Sequence, residues 1–173
     1  MLDLAQRSDL ILDGILLVTL GCAVVTDLRT RRISNRLTYP VAALGLAVHA
    51  ATGGWAGLTA SALGLLLGLV LFLVPFLLGG MGGGDVKLLA AIGALQGPQF
   101  VLLTAVYAGL AGGVLAVGYL LYQRGLTGTV AYATGGRIGG ARPGAPRGGA
   151  IPYGPAIAVG AAVALLQTAL GTL

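Results

Sequence analysis

Apolar stretches of bilayer-crossing length constrain this chain more than any other feature. Leu10–Thr26, Ala56–Leu78, Val101–Tyr122 and Ile151–Leu173 each approach the roughly 20 residues that a helix needs to cross about 30 Å of hydrocarbon. Two shorter stretches, 37–51 and 86–97, must borrow flanking residues or tuck against the others. Charged residues are 9% of the chain and the mean hydropathy is +0.94, whereas a soluble domain carries about 25% charge. The expectation is an all-α, polytopic membrane helix bundle of about six transmembrane helices. It forms one domain, 1–173, with spans near 10–26, 37–51, 56–78, 86–97, 101–122 and 151–173 and no soluble domain.

Charge orients the bundle. Of ten basic residues, four lie in "LRTRRISNR" (28–36) and four in the glycine-rich connection 123–150. Basic loops stay cytoplasmic, so the first helix runs outside to inside, both termini lie outside, and only Arg7 among the cations is external. Were 86–95 a re-entrant loop, the second basic connection would fall outside; a short true span is the better reading. The arginines of 123–150 either touch anionic lipid, at about 1 kcal/mol each, or only set topology. Cys22 is the lone cysteine, which excludes a disulfide framework and a Cys-based zinc site; it reads as a buried small residue.

Ionisable groups at membrane depth are functional candidates. The acidic residues are Asp3, Asp9, Asp13, Asp27 and Asp85, with no glutamate. Asp13 and Asp27 are about 21 Å apart along one helix at 1.5 Å per residue. By topology only Asp27 and Asp85 share the inner level. Like charges a few ångströms apart do not both ionise, so such a pair suits acid–base hydrolysis of an amide. One carboxylate takes a proton from water while the protonated partner polarises the carbonyl. This chemistry needs no metal and no other cofactor. His49, the single histidine, falls at the outer end of the second span, so a Ser–His or Cys–His design lacks a base on the inner face, and clustered metal ligands are missing. Taken singly, Asp27 reads equally as a helix-end carboxylate beside Arg29 and Arg31, Asp85 as a helix N-terminal cap, and Lys87 as a snorkelling anchor. Shared depth is what joins the two aspartates.

The stretch "GGGDVKLLAAIGALQG" resembles the G-x-G-D-x-K-L signature of type IV prepilin peptidases, which are membrane aspartic proteases of the G-x-G-D type. Gly82, Gly84, Asp85, Lys87, Leu88 and Gly93 fit it. "DLRTRRISN" resembles the family's aspartate followed by a basic loop ending I-P-N, with Asp27, Arg32, Ile33 and Asn35 matching and Ser34 in place of proline. "IPYGP" (151–155) resembles I-P-F-G-P. The resemblance implies Asp27 and Asp85 as the catalytic pair. Gly82 and Gly84 would let backbone approach an extended substrate strand, a use suited to glycine, with Lys87 and Asn35 in support.

It also implies a pilin-like precursor as substrate, cut after the glycine that ends a short basic leader, at the cytoplasmic face of the inner (plasma) membrane. The lipid bilayer is the other partner; no nucleic acid is expected. The chain is similar to the short, peptidase-only forms of tight-adherence pilus and preflagellin systems, because it lacks the cysteine-rich insert linked to N-methylation. Two other readings remain at this point. Presenilin-like proteases pair G-x-G-D with Tyr-Asp and Pro-Ala-Leu elements, which do not occur here. A membrane scaffold or ion-coupled transporter subunit would need charge at both aspartates without cutting any peptide.

Overall fold

The computed structural model describes residues 4–78, 80–133 and 153–171. Four helices follow in order: α1 (Leu4–Thr30), α2 (Asn35–Leu77), α3 (Gly83–Ala133) and α4 (Gly154–Ala169). No strand occurs among the described residues. Three helices, α1 to α3, are long and apolar enough to cross a membrane; α4 is a shorter apolar helix.

Local chemistry sets the helix ends. α1 stops at Arg31, whose φ of 51° is left-handed and whose N–H donates to the Asp27 carbonyl at 2.8 Å, the αL type of C-terminal cap. Ser34 then caps α2, its hydroxyl accepting the Arg36 N–H at 3.2 Å. The residue that departs from the family's proline is thus a helix N-cap, a place where serine is preferred.

Both long helices are interrupted by glycine. Gly54 (φ 57°, ψ −139°) breaks α2. Residues 49 and 57 would lie about 12 Å apart in a continuous helix, yet a β-carbon on Gly57 would come within 3.0 Å of the His49 carbonyl carbon. The chain therefore reverses at Gly54. In α3 the break is Gly97 (φ 83°), directly before Pro98, where a helical conformation is disfavoured. The carbonyls left without helical partners there are taken up by neighbouring elements: Ser61 Oγ donates to the Ala94 oxygen at 2.6 Å and His49 Nε2 bonds the Leu95 oxygen at 2.9 Å. Gln96 donates to Asp13 Oδ1 at 2.7 Å. Asp13 and His49 thus gather at one end of the bundle, about 16–21 Å along the helices from Asp27 and Asp85.

The segment from Val86 to Leu95 forms the centre of the molecule. Val86, Leu88, Leu89, Ala90, Ala91, Ile92, Ala94 and Leu95 are all buried, packed with Leu16 and Leu20 of α1 and Ile157 of α4. Its shortness has a physical reason: surrounded by protein, it has no lipid-facing side. Around it, Leu10, Leu17, Val18, Leu63, Val70, Val106 and Leu110 point outward, as expected of a surface solvated by lipid rather than water. The α2–α3 contact is backbone on backbone. A β-carbon on Gly45 would lie 2.6 Å from the Ala94 oxygen, and one on Gly64 would lie 2.8 Å from the carbonyl carbons of Gly93 and Gly97, the close approach small residues allow in membranes.

Two sequence expectations differ from the structure. Cys22 is exposed rather than buried, because the buried stripe of α1 runs through Leu12, Leu16, Thr19, Leu20, Ala23 and Asp27 and Cys22 lies off it. α3 continues to Ala133, past the Tyr122 boundary set by apolarity, since a helix can leave the hydrocarbon without unwinding. The rest of the basic connection, 134–150, with Ile151 and Pro152, lies outside the described residues.

Candidate active site

Three helix ends meet at one cleft. Asp27 comes from the last turn of α1 and Asp85 from the first turn of α3. Together with Arg31, Arg32, Ile33, Gly82, Gly83 and Gly84 they line a cavity of about 190 Å³. Both carboxylates are buried, at 5% and 7% exposure, and near enough to repel one another electrostatically. The structure places Asp27 and Asp85, 58 positions apart in the sequence, on the lining of the same cavity.

Each carboxylate is fixed by a glycine N–H. Asp85 Oδ2 accepts from Gly82 at 3.1 Å, while the Asp85 N–H donates to the Gly82 carbonyl at 3.1 Å. With Gly82 preceding the first helical residue, this is one half of a capping box, the third-position carboxylate taking the cap N–H, while glycine has no side chain to return the bond. Asp27 Oδ2 accepts from the Gly154 N–H at 2.8 Å, an otherwise unpaired donor at the start of α4. Asp85 Oδ1 is buried without a hydrogen-bond partner among the described residues.

Gly84 packs directly on the basic loop: a β-carbon there would lie 3.0 Å from Ile33 Cβ and 3.1 Å from its nitrogen. The glycine thereby holds the loop that follows Asp27 against the helix that carries Asp85. Gly82 has its place through the cap just described. Lys87 and Asn35 do meet, with Nζ donating to Oδ1 at 2.9 Å, and the ammonium sits over the Tyr39 ring at 5.4 Å from its centroid. Lys87 thus ties α3 to the start of α2 rather than bonding a carboxylate.

The sequence reading missed Gly154 as a partner of Asp27 and Tyr39 as the platform under Lys87. "IPYGP" was the only signal for the former. A larger apolar groove of about 540 Å³ runs along α3 past Gly109, Gly113 and Gly118; it carries no titratable side chain. Among the described residues, no group of three or more His, Cys, Asp or Glu side chains gathers as for a metal.

The fold and cleft define a helical protein with apolar helices long enough to cross a membrane and two buried carboxylates on one cavity. The type IV leader peptidase family matches residues 14–117, a region that includes both aspartates, the basic loop and the glycine run. The chain belongs to that family, and it is a membrane peptidase. No curated protein and no solved structure matches it.

Proposed function

We propose that the protein is an aspartic endopeptidase that removes the short basic leader of pilin-like precursors after a glycine, at the cytoplasmic face of the cell's inner membrane, through Asp27 and Asp85. The observation carrying this reading is the convergence of those two buried carboxylates, remote in sequence, on one cleft. Counting α2 twice across Gly54 and α3 twice across Gly97, the chain makes six crossings with both termini outside. The reversal contacts support that count, and the basic loops support that orientation.

The pair holds one proton and titrates as a unit. The ionised carboxylate removes a proton from water, whose oxygen attacks the scissile carbonyl carbon. The protonated carboxyl gives its proton to the carbonyl oxygen. Collapse of the tetrahedral intermediate breaks the C–N bond, a proton passes to the leaving amine, and the pair again holds one proton. The cleft has room for several waters at about 30 Å³ each. An extended peptide needs more, so binding opens it, with the glycines 82–84 offering backbone to the substrate strand. Lys87 and Asn35 brace the wall beside Asp85.

The test is co-expression with a pilin-like precursor, read as a leader-sized mobility shift. Wild type should process it, and Asp27→Asn and Asp85→Asn should not. Persistent processing in either variant removes the dyad; no processing by wild type across a panel of such precursors removes the substrate class.

A further inference from the structure

The geometry points to Gly154 as a positioning residue for Asp27, an inference that rests on the peptidase reading above: its N–H fixes the Asp27 carboxylate, and its missing side chain makes room for that carboxylate. Two independent observations carry it. The Gly154 N–H donates to Asp27 Oδ2 at 2.8 Å within the buried interior. A β-carbon at Gly154 would lie 2.7 Å from the same Oδ2, 2.9 Å from Asp27 Cβ and 3.1 Å from its carboxyl carbon. Ordinary carbon contacts need about 3.5–4.0 Å, so any other residue here displaces Asp27.

The surroundings hold Gly154 in place. Tyr153 precedes α4, and the hydroxyl end of its ring packs against α3 at Gly112, where a β-carbon would meet ring atom Cζ at 2.9 Å. Pro155 follows in the first turn, a position that proline preorganises. Further along, Gly160 seats α4 against Thr104 and Ala108, with an added β-carbon 2.6 Å from the Thr104 oxygen. α4 is thereby anchored to α3, the helix that carries Asp85, while its first N–H holds Asp27 of α1. The start of α4 thus sets where the Asp27 carboxylate lies.

The experiment compares Gly154→Ala with Gly160→Ala, each purified in detergent and normalised to the folded fraction. Gly160→Ala disturbs the same helix by a similar collision, away from the carboxylate. Expected for Gly154→Ala is a fall in kcat on the order of 10²-fold, the usual cost of a ~1 Å misplacement, with KM within about twofold and a displaced acidic limb of the pH–rate profile. Gly160→Ala should lower the yield of folded protein and displace that limb less than Gly154→Ala does, its collision lying about 9 Å along α4 from the carboxylate.

A second readout does not depend on cleavage. The infrared carboxyl band that disappears in Asp27→Asn should shift more in Gly154→Ala, which also crowds the carboxylate directly, than in Gly160→Ala. Should wild type cut no precursor, the peptidase reading fails, and the band alone still decides whether Gly154 holds Asp27. Where Gly154→Ala yields no folded protein, Tyr153→Ala, which removes the brace without adding bulk beside Asp27, should shift the same band. An unshifted band, or a folded Gly154→Ala enzyme with wild-type kcat, overturns the inference.

Discussion

Gly93→Ala tests whether backbone-to-backbone packing in the centre of the bundle positions the site. The added methyl carbon would lie 2.5 Å from the Gly64 carbonyl carbon and 3.2 Å from the Leu65 nitrogen, against about 3.5–4.0 Å for an ordinary contact. Both neighbours are main chain, so no flexible side chain can move aside. The crossing must open by about 1 Å. Overpacking of this kind costs about 1–3 kcal/mol, or roughly 2–4 °C of Tm per kcal/mol for a chain of this size. Asp85 lies about 12 Å along the same unbroken helix, so the displacement is carried to the carboxylate. A ~1 Å error at reacting groups costs on the order of 10²-fold in rate. The comparison is Gly109→Ala on the same helix, where a β-carbon meets nothing within 4 Å and alanine should be neutral or stabilising by up to about 1 kcal/mol. Thermal unfolding in detergent and precursor cleavage per folded molecule are both measured. Equal Tm and equal cleavage for the two variants would refute the packing argument outright.

Other outcomes follow from single contacts. His49→Ala leaves the Leu95 carbonyl without its partner and should lower stability by about 1 kcal/mol, seen as a lower Tm with cleavage per folded molecule retained. Asn35→Ala and Lys87→Ala each break the same 2.9 Å bond; the double variant should therefore be less impaired than the sum, with a coupling of about 0.5–1 kcal/mol in a double-mutant cycle. Chelation of divalent ions should leave cleavage intact, as an aspartate pair predicts, measured by precursor processing with and without EDTA.

The sequence makes the bundle legible because lipid-spanning helices need length and apolarity, and both are linear properties. The turns at Gly54 and Gly97 fall between apolar stretches, where an unpaired glycine or a proline marks the break. Asp27 and Asp85 are legible through depth: charge is scarce in this chain, and the basic loops assign each carboxylate a level. Partners are a different matter. The donor to Asp27 is a main-chain N–H, which every residue but proline possesses, so "IPYGP" marks the place without naming the bond. Lys87 reads as an anchor or as a hand on a carboxylate oxygen. Only the packing of α2 beside α3 gives it Asn35 and Tyr39 instead. Cys22 shows the same limit. Its exposure depends on which stripe of α1 faces inward, and a helix that is apolar nearly all round hides that phase.

What allows two carboxylates to be buried side by side is the identity of the helix ends that meet them. Asp85 sits in the first turn of α3, and Asp27 touches the first N–H of α4. Each helix N-terminus carries about half a positive charge and favours an anion. Asp27 itself sits at the C-terminus of α1, the unfavourable end, and there the chain places Arg31 and Arg32 in the cleft wall. Each carboxylate thus takes a bond from a glycine N–H at a helix N-terminus. The two bonds differ in range. Asp85 receives its hydrogen bond within its own helix turn, so it is set as soon as α3 forms. Asp27 receives its bond from a residue 127 positions away, so it is set only when α4 docks. The two carboxylates therefore differ in what holds them: a local turn for Asp85 and a contact between distant helices for Asp27.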